Sequence, residues 1–384
     1  MSRPVYLTGF GHYSAAGTTL DTACNAIVAG DVHCTSRNIA GKTLPFYAFA
    51  HADAASSAAG TPTAAAWYLR AQEIICSVGA EIRADCDITD SEWSQAEFFF
   101  ASSSFQIGAL ELAARSGHTE FPPAAEFAAK AANWLGMSTA PWCFATACTS
   151  SLSALDAAAT LIRAGVLRRA LVLGVELPNH TSLAGFSALD LLSPTACRPL
   201  DQQRDGLVLG EAVAAVWLAD QPCGGRWGDW RVAGIDAALD SHSATGPNPD
   251  GVLIAEVMTK ALHRAGLTAD DIDLVKLQAA GSPAVDLAEG AALRRVFGER
   301  APALVSLKSF FGHTLGASGA AELSALVGCL ARDIVPATVG FLEVDPAIGL
   351  APTTDAHSTR VQRVLFNLIG FGGSVVSLVI EQSS

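Results

Sequence analysis

Cys148 sits in Ala147-Cys148-Thr149-Ser150-Ser151, between a sheet-like apolar stretch (Trp142 to Ala145) and a helical pattern. Small neighbours leave room for a substrate to approach the sulfur. Leu152, Leu155, Ala159 and Ile162 recur at helical spacing, Gly165 stops the helix, and residues 170–175 read as the next buried strand. A cysteine in the first turn of a helix feels the positive end of the backbone dipole, which favours thiolate. The chemistry this predicts is acyl acceptance by a sulfur nucleophile. The same window fits a buried structural cysteine, and both readings stand at this level. His313, in Gly312-His313-Thr314, lies at a second loop-to-helix turn, an unusual place for a histidine that only packs. Lys308 and Glu322 flank it and could form an ion pair whose role is partly structural.

Short Val/Leu/Ala strands alternate with Ala-rich helices along the chain, the signature of an α/β protein with buried sheets. Strands are expected at 5–9, 98–101, 170–175, 212–218, 274–277, 303–305, 364–368 and 375–380. Helices are expected at 20–28, 63–78, 123–135, 150–164, 253–265, 284–296 and 317–332. Residues 50–63, rich in Ala, Ser and Gly, read as a loop feeding a helix. The stretch Asp220 to Trp230, with Pro222, Gly224, Gly225 and Gly228, reads as the boundary between an N-terminal half, 1–220, and a C-terminal half, 230–384. No short-period repeat points to a solenoid.

With 384 residues, half of them apolar and only 16% charged, much of the chain must be interior or subunit interface. A net charge of −13 argues against binding nucleic acid or anionic membranes through overall charge. No stretch reads as a membrane span, and the opening residues lack a signal-peptide pattern. Nine cysteines without a C-x-x-C pair suggest neither zinc ligation nor a disulfide framework, so a reducing cytoplasm is expected. Cys143 reads as a strand core position, and Phe10 and His12 as ordinary strand-to-loop positions. Arg163, Arg168 and Arg169 read as the solvated end of a helix.

Five segments in order resemble the β-ketoacyl-[acyl carrier protein] synthases, in their elongating branch. They are Val5 to Gly11 (the opening strand), Ala145 to Ser151 (the nucleophile loop), and Arg198-Pro-Leu-Asp201 with Arg204 to Glu211 (the central motif). Lys308 to Glu322 is similar to the second histidine motif, and Asn367 to Gly373 to the glycine-rich turn. The resemblance implies a thiolase fold, two βαβαβαββ halves in a five-layer αβαβα sandwich, and a dimer. It implies that Cys148 receives an acyl chain and that His313 donates to the thioester oxygen of a malonyl unit. Lys308 and Glu322 would orient that region, the N–H groups of Cys148 and Phe371 would form the oxyanion hole, and Phe371 would gate the second substrate. Phe186 would line the acyl pocket, while Asp286 and Glu289 would be structural. Acyl carrier protein would be the partner and would bring phosphopantetheine with it, with no other cofactor and no metal.

The chain departs from the family at its first histidine motif. Where His-Gly-Thr-x-Thr is expected it has Gln278-Ala-Ala-Gly-Ser282, so that only Ser282 keeps a pantetheine-facing hydroxyl. Decarboxylating a malonyl thioester makes an enolate that needs two donors on one oxygen, and losing one donor costs on the order of 10² to 10³ in rate. An amide can donate a hydrogen bond but carries no positive charge and shuttles no proton. Asp190 also stands where relatives often place an arginine for the acidic carrier. These changes resemble a chain-length factor, the non-elongating partner in a ketosynthase heterodimer. The retained Cys148 and His313 instead fit an active synthase, working as a homodimer or in a mixed pair.

Overall fold

The computed structural model describes residues 3–49 and 63–383. The loop expected at 50–63 lies outside the described residues, except for Thr63, which caps the next helix. The strands, in chain order, are β1 (Tyr6–Ser14), β2 (Thr35–Ile39), β3 (Lys42–Phe46), β4 (Glu97–Ala101), β5 (Trp142–Phe144), β6 (Arg169–Glu176) and β7 (Ala212–Ala219). They continue as β8 (Trp230–Leu239), β9 (Leu274–Lys276), β10 (Ala303–Val305), β11 (Ile334–Val335), β12 (His357–Ser358), β13 (Arg363–Ile369) and β14 (Ser374–Gln382).

Ten strands form one sheet, ordered β10-β9-β13-β14-β8-β1-β7-β6-β4-β5. From β1 outward the pairings run antiparallel to β7, antiparallel to β6, then parallel to β4 and β5. From β8 outward they run in the same sequence: antiparallel to β14 and β13, then parallel to β9 and β10. Among the described residues the two five-strand sets pair at Tyr6↔Arg231 and Leu7↔Trp230, with the Val232 N–H also donating to the Val5 carbonyl at 2.9 Å. The structure is thus mixed α/β with the thiolase fold.

Side-chain alternation buries both faces of each set. Phe99 and Ala101 face one core while Phe98 and Phe100 face another; Val364, Phe366 and Leu368 oppose Leu365 and Ile369 in the same way. The inner core, shared by both sets, holds helices Leu20–Ala29, Ser150–Arg163 and Ser318–Leu330. All thirteen residues of the last are buried, which suits a helix rich in Ala, Leu and Gly on every side. Helices Ala64–Asp85 and Ala124–Leu135 cover the outside of the first set, and Val252–Ala265 and Pro283–Phe297 cover the second.

Several expectations change. The opening strand runs to Ser14, so Phe10 and His12 are fully buried mid-strand residues; His12 is bound by Ser14 Oγ (2.8 Å) and Ser324 Oγ (3.1 Å). Burial pushes its imidazole down to about 4, which keeps it neutral. Trp230, read as the end of a linker, begins β8, because the glycines before it hid a strand of ten residues. Cys143 is exposed, since β5 is the last strand of the sheet. Arg163 is half-buried and donates to the Val232 carbonyl at 2.8 Å, while Arg168 and Arg169 pair with Asp220 and Glu92. The β2–β3 hairpin had no clear apolar alternation, and its first strand carries no fully buried residue.

Candidate active site

The helices Ser150–Arg163 and Ser318–Leu330 begin alike. Each follows a single 3₁₀ turn, Ala147–Thr149 or Leu315–Ala317, and each turn opens on a non-glycine residue with positive φ: 51° at Ala147 and 44° at Leu315. Left-handed backbone at such residues costs about 1–2 kcal/mol, so the surroundings must hold it. The Ala147 carbonyl accepts from Ser150 Oγ (2.6 Å) and Ser103 Oγ (3.0 Å). The buried Glu176 carboxylate accepts from the Gly316 N–H (3.2 Å) and Ser104 Oγ (2.5 Å), tying both loops to the end of β6.

His313 is fixed by the central motif. Its N–H donates to the Val208 carbonyl (2.7 Å), and the Gly210 N–H donates to the His313 carbonyl (3.1 Å). A Cβ on Gly210 would lie 1.9 Å from the Phe311 carbonyl oxygen, so this close approach requires glycine. The result is that His313 Nε2 lies 3.0 Å from Cys148 Sγ. The other ring nitrogen, Nδ1, meets Ser318 Oγ at 3.2 Å, and Ser318 Oγ accepts from Lys308 Nζ at 3.3 Å. With the lone pair of Ser318 engaged by an ammonium, its own proton is available to Nδ1. That leaves the imidazole proton on Nε2, facing the sulfur.

Behind the histidine lies a fully buried charge cluster. Glu322 receives Lys308 on one carboxylate oxygen and Lys276 on the other, the latter at 2.5 Å. All three side chains are inaccessible to solvent. Lys276 also lies 4.1 Å above the Phe366 ring. Lys276 was not singled out in the sequence; the signal was a lysine inside Leu274-Val-Lys-Leu277, a strand otherwise wholly apolar.

Burial, opposed by N–H groups and Lys308, pushes the Cys148 thiol up to about 11. Burial, with Lys308 and Lys276 nearby, holds His313 well below the usual imidazole range. The expected helix-dipole thiolate is therefore overturned: desolvation of a sulfur 3% exposed outweighs the dipole. The resting pair is a thiol beside a neutral imidazole. Alkylation of Cys148 by iodoacetamide, followed by intact mass, is expected to accelerate as pH rises from 9 towards 11. A rate flat below neutrality would instead indicate a preformed thiolate–imidazolium pair.

The backbone N–H groups of Phe371 and Cys148 both favour the thiolate form of the sulfur. The glycine-rich turn makes this possible: a Cβ on Gly370 would come within 3.2 Å of the Cys148 nitrogen. Gly373, at φ +81°, has the Asp240 carbonyl only 1.7 Å from where its Cβ would stand. Phe186, half-buried, stacks on Phe371 with centroids 5.0 Å apart and an 18° interplanar angle.

Gln278 is 3% exposed. Its backbone N–H donates to Glu289 (2.8 Å), as does that of Ala279 (2.8 Å), while Asp286 accepts from the N–H groups of Ala280 and Gly281 (both 3.1 Å). Two buried carboxylates thus fix the whole turn, and Ala280 packs in the same apolar cluster as Cys148. The side-chain Oε1 of Gln278 is buried with no partner among the described residues. Ser282 is buried and precedes helix Pro283–Phe297 without a side-chain cap bond.

Residues 86–222 match the model of the β-ketoacyl synthase N-terminal domain, and residues 231–342 that of the C-terminal domain. The chain belongs to the β-ketoacyl synthase family. A tetracenomycin polyketide synthase ketoacyl synthase alpha subunit from Streptomyces glaucescens is 34% identical over 62% of this chain and 59% of its own. A 3-oxoacyl-[acyl-carrier-protein] synthase 2 from Mycobacterium bovis is 31% identical over 61% of this chain. The aligned part is 59% of that relative's length. A crystal structure of a β-ketoacyl synthase from Burkholderia phymatum superposes on all of both chains with TM-score 0.82 at 25% identity. The ishigamide ketosynthase/chain length factor structure shares the fold at TM-score 0.86, with 24% identity over the full length of both chains. The family is one of transferases. No helix among the described residues is long and apolar enough to cross a membrane.

Proposed function

We propose that this β-ketoacyl synthase is a chain-length-factor-like partner in the ketosynthase heterodimer of a type II, carrier-protein-dependent fatty acid or polyketide synthase. Its Cys148 can still take up acyl groups, and the other subunit carries out decarboxylative elongation. One observation carries the reading: a complete Cys148–His313 contact (3.0 Å) in a chain whose first histidine motif offers Gln278, an amide that carries no positive charge and shuttles no proton. The substrate would arrive as an acyl thioester on the phosphopantetheine arm of an acyl carrier protein, past the Phe186–Phe371 stack.

In this mechanism the Cys148 sulfur attacks the thioester carbonyl beside the Nε2–H of His313, and the thiol proton goes to the departing pantetheine sulfur. The developing oxyanion is met by the N–H groups of Cys148 and Phe371, and the thioester C–S bond breaks as pantetheine leaves as its thiol. The edge of the sheet supports a dimer. Among the described residues β5 pairs only with β4, and it presents Trp142, 52% exposed, together with exposed Cys143. Function in the cytoplasm, with no bound cofactor of its own, belongs to the same proposal.

The 3.0 Å contact also favours a second reading, an active synthase on its own. Co-purification with a competent ketosynthase, followed by Cys148→Ala, separates the two. Under the partner reading the complex keeps its turnover and Phe186→Ala changes product length. Loss of all product with Cys148→Ala selects the active synthase.

A further inference from the structure

Away from the active site, two cysteines 137 positions apart in sequence bring their sulfurs together. Cys86 caps the C-terminal end of helix Ala64–Asp85, its N–H donating to the Ile82 carbonyl at 3.0 Å. Cys223 lies in the connector between β7 and β8, the only covalent link between the two strand sets. Their sulfurs are 2.6 Å apart, and both lie against the Thr8 carbonyl, at 3.1 and 3.3 Å. Two glycines make the space. A Cβ on Gly9 would stand 3.0 Å from Cys86 Sγ, and one on Gly225 would stand 3.4 Å from the same atom.

We propose that Cys86 and Cys223 are a peroxide-oxidisable pair that closes into a disulfide, tying the end of the long outer helix to the connector between the two strand sets. A disulfide needs the sulfurs at about 2.05 Å, so they have only about 0.5 Å to close. Cys86 is 4% exposed and Cys223 is half-buried, so the oxidant meets Cys223 first. The hydrogen bond between the two sulfurs draws the Cys223 thiol down to about 7, which supplies the nucleophile, with Asp229 opposing. Cys223 sulfur attacks one oxygen of hydrogen peroxide, the O–O bond breaks, and a sulfenic acid and water form. Cys86 sulfur then attacks the Cys223 sulfur, the S–O bond breaks, and hydroxide leaves with the Cys86 proton as a second water. Both sulfurs are oxidised by one electron each, and the peroxide is reduced by two.

The test treats the reduced full-length chain with stoichiometric hydrogen peroxide, then quenches free thiols and maps peptides. The expected result is a loss of two hydrogens, a peptide joining Cys86 to Cys223, and a melting temperature that rises and returns with dithiothreitol. Cys223→Ser, a half-buried position that folding tolerates better than Cys86→Ser, should show neither the link nor the shift. The proposal is overturned if both thiols remain alkylatable after peroxide, if the link joins other cysteines, or if Cys223→Ser shows the same reversible shift.

Discussion

Gln278→His is expected to raise malonyl-thioester decarboxylation by on the order of 10² to 10³, the value of one well-placed donor to a developing oxyanion. The backbone is ready for it. Both N–H groups at the head of the turn are held by Glu289 and the next two by Asp286, so the exchange alters a side chain and leaves its mounting intact. Gln278 Oε1 has no partner among the described residues, so the exchange sacrifices no bond made by that oxygen. An imidazole there supplies the donor that pairs with His313 on one substrate oxygen. Release of labelled carbon dioxide from a malonyl thioester measures the gain. An unchanged rate would show that position 278 does not reach the reacting oxygen.

The second large effect concerns stability. Glu322 is the shared counterion of two fully buried lysines, and Glu322→Gln leaves both ammonium groups without it. Removing one partner from a buried charge cluster costs about 3–5 kcal/mol, which urea unfolding at neutral pH should register. The pH dependence has a definite sign. Burial, opposed by Glu322, already draws Lys276 down to about 8 from 10.5, so its folded form binds the proton less well than its unfolded form. Its contribution to stability is complete above the unfolded value and is lost as pH falls through about 8. Without the carboxylate that difference widens, so Glu322→Gln should recover stability as pH rises from neutral to alkaline. A variant as stable as the parent at neutral pH would mean that the cluster is not charged as described.

Much of this was legible beforehand where periodicity and chemistry agreed. Residues 150–163 announced a helix through Leu152, Leu155, Ala159 and Ile162, and the structure places those four in the inner core. The β13–β14 hairpin was marked by glycines 370, 372 and 373 between two apolar runs. Lys276 escaped because a charge in an apolar strand acquires meaning only when its counterion, 46 positions later, is seen beside it. The state of Cys148 was misjudged for a similar reason. A helix terminus is visible in sequence, whereas the burial that outweighs it is a property of the assembled core. Cys143 looked interior because strand composition does not say which strand ends the sheet. The approach of Cys86 to Cys223 is likewise tertiary, since no local spacing links them.

The most direct test incubates the purified chain with an acyl-pantetheine thioester and, separately, with a malonyl thioester. Intact mass reports the first reaction and released carbon dioxide the second. The expected result is an acyl adduct that disappears in Cys148→Ala, together with carbon dioxide release far slower than adduct formation until Gln278→His is introduced. Absence of an adduct on the parent chain, or brisk decarboxylation with Gln278 in place, would contradict it.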